Sequence, residues 1–128
     1  MYYGKNPPPS LKSLDHSGLV IHCNSFSKSL APGFRVGWVA GGIFAGQIER
    51  IKLMSTISPS MPSQLALSHY LHHKNYDRHL QKLRYILALS QQKMLLAIAQ
   101  YFPKNIAVTK PNGGYFLWVE LDKNINAL

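Results

Sequence analysis

The sequence predicts an α/β protein with a second, α+β piece that begins near Tyr76. Three observations lead to this prediction: two short strand-like runs come early, three helical stretches follow them, and a strand–turn–strand pattern comes last. The length of 128 residues suits one domain or part of a larger one. Because two strands do not make a stable sheet, we expect further sheet before Met1 and further small-domain structure after Leu128.

The first third of the chain predicts two strands. Residues 1–18 are expected to be irregular, because the three prolines at 7–9 cannot donate backbone hydrogen bonds. Residues 19–23 form an apolar, β-branched run that predicts a buried strand, and residues 35–40 predict a second strand. The loop between them, at 24–33, ends on a Pro-Gly pair, which is typical of a sharp turn.

Three helices are predicted next, at 43–57, at 63–73 and at 76–102, where Pro103 ends the last one. Apolar residues three or four positions apart predict that each helix buries one face. Those faces comprise Ile43, Phe44, Ile48, Ile51 and Met54, then Leu65, Leu67, Tyr70 and Leu71, then Leu80, Leu83, Leu87, Met94, Ile98 and Tyr101.

The end of the chain predicts a long connection and a hairpin. A helix over 76–102 spans about 40 Å at 1.5 Å per residue, which is longer than a small domain is wide. Such a helix connects two domains or lies across the surface of one. Residues 106–109 and 115–121 predict strands, and the Pro-Asn-Gly-Gly run at 111–114 predicts the turn that joins them.

Composition and charge exclude several classes of protein. A hydrophobic fraction of 46% is ordinary for a globular protein, and a chain of this size can bury roughly two thirds of its unfolded surface. No window reaches the ~18 apolar residues of a membrane span, and the first residues lack the apolar run of a signal peptide, so we expect a cytoplasmic protein. One cysteine, Cys23, excludes an internal disulfide framework. The net charge of +9 is spread along the chain without a groove-reading motif, which favours small anions such as phosphates over nucleic acid.

The loop at 25–35 carries the most chemical information. Ser25 and Ser27 precede Lys28 by three residues and one residue, and Arg35 follows it by seven. A lysine that is partly desolvated and near another cation has its neutral amine favoured, and this amine can form a Schiff base with an aldehyde. Hydroxyl and guanidinium groups are donors to a phosphate dianion. The pattern fits pyridoxal 5′-phosphate, and it also fits a solvated loop with ordinary surface cations.

Three motifs resemble one known family. The run SFSKSLAPGFRVGW at 25–38 closely resembles the lysine motif of fold-type I, class I/II aminotransferases. The run YDRHLQKLR at 76–84 resembles the start of their interdomain helix, and PNGGYFLWVEL at 111–121 resembles their small-domain hairpin. The resemblance implies part of the pyridoxal-phosphate-dependent transferase fold. Residues 1–75 would be the C-terminal part of the large, cofactor-binding domain, and residues 76–128 the interdomain helix and the first small-domain hairpin.

The resemblance also implies roles for single residues. Lys28 matches the lysine that forms the Schiff base with the cofactor and then moves the α-proton of the substrate as general base. Arg35 matches the arginine that pairs with the cofactor phosphate, and Ser25 and Ser27 match hydroxyl donors to that phosphate. The glycines at 113–114 are weaker candidates, in a hairpin that would help to close over the substrate.

Other parts of the family's site have no match in this sequence. The glycine-rich phosphate loop, the aromatic residue on the cofactor ring, the Asn near the ring oxygen and the Asp at the ring nitrogen belong upstream. The arginine for the substrate carboxylate belongs downstream. Asp15 does not fit the Asp motif. We therefore expect no useful transaminase activity from these 128 residues alone.

Two kinds of complete protein fit the resemblance, and each is a candidate parent protein of this chain. The run at 76–84 favours a MocR-type regulator of the GntR family, in which a winged helix-turn-helix precedes an aminotransferase-like domain. The other parent is a free-standing aminotransferase of the aminoadipate/kynurenine type. Either parent implies an amino acid or amine and a 2-oxo acid as ligands, a homodimer for the complete protein, and no membrane partner. A regulator would contact DNA through a domain outside this sequence, and a truncated, non-functional product is a third hypothesis.

Rival motifs are weaker. Ser25 and Lys28 also fit the S-x-x-K pattern of penicillin-binding enzymes, but the partner motifs are missing. The glycines after the second strand lack the spacing of a dinucleotide-binding loop. His69, His72 and His73 have helical spacing, yet polar histidines on a helix face are the better interpretation, and no metal site is predicted.

Overall fold

The computed structural model describes residues 1–4, 6–73, 75–122 and 124–125. The chain divides into two compact units, which we describe separately. The central unit is Pro8–Asp77, and the terminal unit combines Met1–Pro7 with Arg78–Leu128. The assignment of residues 1–75 to a large domain and 76–128 to a small domain stays a prediction.

The central unit contains a two-stranded antiparallel sheet. Strand β1 (His22–Ser25) pairs with strand β2 (Gly37–Ala40), with His22 opposite Ala40 and Ser25 opposite Gly37. Both predicted strands are therefore confirmed, although β1 begins three residues later than predicted. The pair is antiparallel because one short loop joins the two strands and reverses the chain direction.

Two helices complete the central unit. After a short 3-10 turn at Gly42–Phe44, helix α1 covers Ala45–Thr56, and helix α2 covers Met61–His73. Both agree with the predicted helices within about two residues. Ahead of β1, a 3-10 turn at Leu11–Leu14 interrupts the segment that was predicted to be irregular.

The terminal unit contains most of helix α3 (Tyr76–Tyr101) and a hairpin. Strands β3 (Ala107–Val108) and β4 (Val119–Glu120) pair antiparallel, which confirms the predicted hairpin with shorter strands. The amide of Thr109 extends the pairing by donating to the Trp118 carbonyl at 2.9 Å. The side-chain amide of Gln91 on α3 donates to the Pro111 carbonyl at 2.6 Å and ties the turn of the hairpin to the helix.

The first residues of the chain also belong to the terminal unit, which the sequence did not indicate. Tyr2 forms an isolated antiparallel bridge with Gly113. The Tyr3 amide donates to the Asn112 carbonyl at 2.9 Å, and the Gly114 amide donates to the Met1 carbonyl at 2.8 Å. The Tyr3 hydroxyl adds a bond to the Gly114 carbonyl. Residues 1–3 thus lie along the turn that precedes β4.

Burial is much lower than the sequence predicts. Among the described residues, the buried hydrophobic side chains are Leu67 on α2 and Ile98 on α3, which are 5% and 3% exposed. The predicted inner face of α1 is wrong for Ile43, Ile51 and Met54, which are 66%, 65% and 88% exposed. The strand predicted to be buried is also mostly exposed, with Leu19 and Ile21 at 60% and 48%, because the described part of the chain places no further layer over the two-stranded sheet.

Several residues of the other predicted helical faces are exposed too. These are Leu65 and Leu71 on α2, and Met94 and Tyr101 on α3. Spacing within a helix places residues on one face, but the packing partner decides whether that face is covered. None of the described helices is long and apolar enough to cross a membrane.

Candidate functional site

The loop between β1 and β2 presents the predicted site residues. The Phe26 amide donates to the Val36 carbonyl at 3.0 Å and continues the strand pairing by one step. The amides of Leu30 and Ala31 then donate to the Phe26 carbonyl at 2.9 and 3.0 Å. A tight turn over residues 26–30 therefore carries Lys28, and Phe26 is the backbone anchor of that turn.

Three of the predicted residues are brought together by hydrogen bonds. The hydroxyl oxygen of Ser25 accepts the Ser27 amide at 3.1 Å. The Arg35 guanidinium donates through Nη1 to the Ser27 hydroxyl oxygen at 3.1 Å. The end of β1 and the loop that leads to β2 thus place the Arg35 guanidinium beside the Ser25 and Ser27 hydroxyls.

Arg35 has a left-handed backbone, with φ 52° and ψ 38°. This conformation costs a residue with a side chain about 1–2 kcal/mol relative to the right-handed region. It follows a 3-10 turn at Pro32–Phe34, in which the Phe34 amide donates to the Ala31 carbonyl at 3.2 Å. A strained conformation at a residue with a predicted binding role fits the tendency of strain to lie at functional positions.

Lys28 lies exposed in the same turn. The partial desolvation expected from a place after a buried strand is therefore not found, because β1 is itself exposed. The glycines at 113–114 lie in the terminal unit, in the turn that pairs with residues 1–3. Gly114 has φ 94°, which a residue with a side chain rarely adopts.

Sequence reasoning missed one residue beside the lysine. The Tyr76 hydroxyl donates to the Ser29 hydroxyl oxygen at 3.0 Å. The Tyr76 ring meets the Phe26 ring edge-on, with the ring centroids 6.3 Å apart and the planes at 63°. The sequence predicts Tyr76 only as the start of the long helix, because a contact across 47 positions gives no local sequence signal.

The donors in this loop fit a phosphate group. The Arg35 guanidinium is exposed and carries five N–H donors, and the Ser25 and Ser27 hydroxyls lie next to it. The sequence has no Asp or Glu between Asp15 and Glu49, so no carboxylate from this stretch opposes a bound anion. The loop is thus a cationic, hydroxyl-bearing surface with a primary amine on the same turn.

The histidines of α2 do not form a metal centre. The His69 and His73 rings stack with their centroids 4.3 Å apart, and the His72 and His73 Nδ1 atoms contact backbone carbonyls of their own helix. Within the described ranges, no group of three or more His, Cys, Asp or Glu side chains is placed to hold a metal ion.

Comparison with known proteins identifies relatives. The family model described as aminotransferase class I and II matches residues 1–128. The HTH-type transcriptional regulator YdcR of Escherichia coli, which is described as uncharacterized, is 46% identical over 99% of this chain. The HTH-type transcriptional regulator NorG of Staphylococcus aureus is 40% identical over 89% of it. The chain spans 27% and 26% of these two relatives.

Two solved structures with the same fold are those of aminotransferases. A kynurenine aminotransferase of Pyrococcus horikoshii, solved with PMP, aligns with a TM-score of 0.89 and 32% identity over 98% of this chain. The α-aminoadipate aminotransferase LysN of Thermus thermophilus, complexed with N-(5′-phosphopyridoxyl)-L-leucine, aligns with a TM-score of 0.89 and 33% identity, also over 98% of this chain. This chain covers 31% and 33% of the two, so it corresponds to part of their fold.

Proposed function

The chain belongs to the class I and II aminotransferase family, and we propose that it binds pyridoxal 5′-phosphate through the loop between β1 and β2. The observation that carries this proposal is the contact between Arg35 and Ser27 at 3.1 Å, on the turn that presents Lys28. The two aminotransferases with the same fold were solved with a pyridoxamine or pyridoxyl group, which supports the same cofactor here.

Each residue has a distinct role in this proposal. Arg35 and the hydroxyls of Ser25 and Ser27 hold the phosphate by charge-assisted hydrogen bonds. Lys28 would hold the cofactor covalently through Nζ. Once a substrate amine had displaced Lys28 from the cofactor, the freed Nζ amine would take and return the proton of the substrate's α-carbon. The bound cofactor supplies an aldehyde and an electron-withdrawing ring. The ring-nitrogen carboxylate and the arginine for a substrate carboxylate have no match in this sequence, so we expect binding without useful turnover from these 128 residues.

We further propose that the complete protein is a transcriptional regulator. The curated relatives at 46% and 40% identity are HTH-type regulators, whereas the aligned aminotransferases are 32–33% identical. The aminotransferase-like part would then be a cytoplasmic sensor for an amino acid, an amine or a 2-oxo acid. DNA would be contacted by a separate domain, and the complete protein would form a homodimer.

A free-standing aminotransferase is the second candidate, favoured by TM-scores of 0.89 to two such enzymes. Sequencing the encoding DNA on both sides of these 128 codons separates the candidates. An in-frame winged helix-turn-helix supports the regulator, and a complete large domain without one supports the enzyme. A stop codon on either side within a few codons would favour a non-functional product.

Cofactor binding is tested with the 128-residue chain itself. Pyridoxal phosphate is titrated into the protein, the mixture is reduced with borohydride, and the modified peptide is identified by mass spectrometry. We expect modification at Lys28 and its loss in Lys28→Ala. Arg35→Ala should weaken binding by about tenfold or more, because a hydrogen bond to a charged group contributes about 1.5–3 kcal/mol.

The matched control is Arg50→Ala, which removes an exposed arginine of α1 and the same formal charge. It should leave the affinity within about twofold of the parent chain, since this surface charge has no role in the site. Modification spread over many lysines, with no dependence on Arg35, would overturn the proposal.

A further inference from the structure

We propose that Tyr76 is a positioning residue for Lys28, an inference that rests on the cofactor-binding role proposed above. Lys28 lies in the turn between Phe26 and Ser29, and Tyr76 contacts both of these neighbours. Its hydroxyl bonds to the Ser29 side chain, and its ring packs on the Phe26 ring. The lysine is thus presented from a turn that is anchored on both sides by one tyrosine.

Tyr76 contacts the side chains of two residues of the turn, and one of them, Phe26, also supplies its central backbone acceptor. Phe26 supplies the carbonyl that accepts the Leu30 and Ala31 amides, so the position of Phe26 sets the path of residues 26–31. Phe26 and Ser29 are half-buried, while Lys28 is exposed. An exposed lysine on a loosely held turn samples many conformations. Its conformational entropy is lost when the amine bonds to a bound aldehyde, and this loss is a free-energy cost of attachment. A contact that orders the turn beforehand lowers this cost and favours attachment.

Tyr76 comes from a rigid element rather than from the loop. It is the first residue of α3, a helix of 26 residues, and it lies 47 positions after Ser29. The tyrosine therefore ties the loop to the first residues of α3, which belong with the loop to the central unit. Fixing a reactive group through residues on a regular element gives more precise placement than the loop itself provides.

This role predicts that changes at Tyr76 affect the covalent attachment of pyridoxal phosphate but not the binding of inorganic phosphate. Covalent attachment requires Lys28, whereas inorganic phosphate needs only the donors Ser25, Ser27 and Arg35. Tyr76→Phe removes the hydroxyl and keeps the ring. It should lower the fraction of pyridoxal phosphate attached to Lys28 at a fixed concentration about two- to tenfold, the range that the loss of one hydrogen bond produces. It should leave the affinity for inorganic phosphate within about twofold, because the phosphate donors are untouched.

The matched control is Tyr85→Phe, because Tyr85 is a 66% exposed tyrosine of the same helix. The double variant Tyr76→Phe with Ser29→Ala should be no worse than the poorer single variant, since the two changes remove opposite ends of one hydrogen bond. Tyr76→Leu, which also loses the contact with Phe26, should give a larger decrease in attachment than Tyr76→Phe.

Amide exchange of Leu30 and Ala31, measured without any cofactor, separates this inference from the proposed function. Faster exchange in Tyr76→Phe supports the anchor even if the parent chain fails to bind pyridoxal phosphate, a result that would overturn the proposed function instead. Unchanged exchange together with unchanged attachment overturns the role of Tyr76. An equal loss of phosphate binding and attachment also overturns it, because that result indicates general damage to the loop.

Discussion

Each of the two units of this chain is stabilised internally by a different kind of polar contact. In the central unit, the polar contacts around Ser25 and Asp15 join residues close in sequence: Ser25 with Ser27, Ser27 with Arg35, and Asp15 with residues up to five positions away. In the terminal unit, the first residues of the chain pair with the turn at 112–114, and the Tyr3–Gly114 bond spans 111 positions. The candidate loop is thus built mainly from local contacts, while the turn of the terminal unit's hairpin also has contacts with residues more than 100 positions away.

This difference explains which features a sequence motif can carry. A local site survives as a continuous run of residues, so the lysine loop is recognisable from one segment. A unit closed by distant contacts depends on loop closure, which costs entropy before any contact forms. The predictions below test whether the two units respond separately to damage, beginning with the largest expected effect.

The first prediction concerns the buried side chain of the terminal unit. Ile98 is 3% exposed, and Ile98→Ala removes buried apolar atoms and leaves empty space in their place. We expect a loss of about 2–5 kcal/mol in the free energy of unfolding, measured by denaturant titration. The Thr109 amide should then exchange faster, while the exchange rate of the Leu30 amide in the central unit should change little.

Leu96→Ala, at a position 70% exposed, is the control and should change stability by less than about 0.5 kcal/mol. Equal acceleration at both amides would contradict the separation of the units.

The second prediction concerns the close approach at Gly113. A β-carbon at this position would meet the Met1 carbonyl oxygen and lie 2.9 Å from the Tyr2 Cα atom, both of which are backbone atoms. Gly113→Ala should therefore break the pairing with residues 1–3 and cost about 1–3 kcal/mol. Loss of the exchange protection of the Tyr3 amide measures the effect. Gly46→Ala provides a contrast, because it lies on α1 with open space around it and should stabilise the chain by up to about 1 kcal/mol. Retained protection at Tyr3 would show that the pairing does not need a glycine.

The third prediction is a pH dependence in the central unit. The Asp15 carboxylate is 4% exposed, and its Oδ2 atom bonds to Lys12 Nζ at 2.9 Å and to the Val20 amide at 3.0 Å. These contacts, first the Lys12 hydrogen bond, lower the pKa of Asp15 from 3.8 to about 2. Because the pKa is lower in the folded state, Asp15 stabilises the fold above about pH 4, and this contribution disappears as the pH falls towards about 2.

Acid titration of stability tests this dependence. Asp15→Asn should be less stable than the parent chain at about pH 6, and the difference should shrink between about pH 4 and pH 2. Glu49→Gln, at an exposed position of α1, should follow the parent chain over the same range. A constant difference between the Asp15→Asn chain and its parent over the whole range would show that ionisation of Asp15 does not contribute.

The helices, the strands, the last hairpin and the lysine loop were predictable from sequence because each has a local cause, whereas the pairing of β1 with β2 was not predicted. Helix α3 ends at Tyr101, two residues before the proline expected to stop it. Burial could not be predicted in the same way: the apolar spacing of α1 is regular, yet Met54 is 88% exposed. Periodicity places residues on one face, whereas the elements packed against that face decide how much of it is covered.

The sequence by itself determined the family, the order of helices and strands, and the group of Ser25, Ser27, Lys28 and Arg35, because these depend on neighbours within a few positions. The left-handed backbone of Arg35, the contact of Tyr76 with Ser29, and the pairing of residues 1–3 with the turn at 112–114 emerged only in the folded chain. Contacts across 47 and 111 positions follow from how the chain closes on itself, and no local propensity encodes that closure.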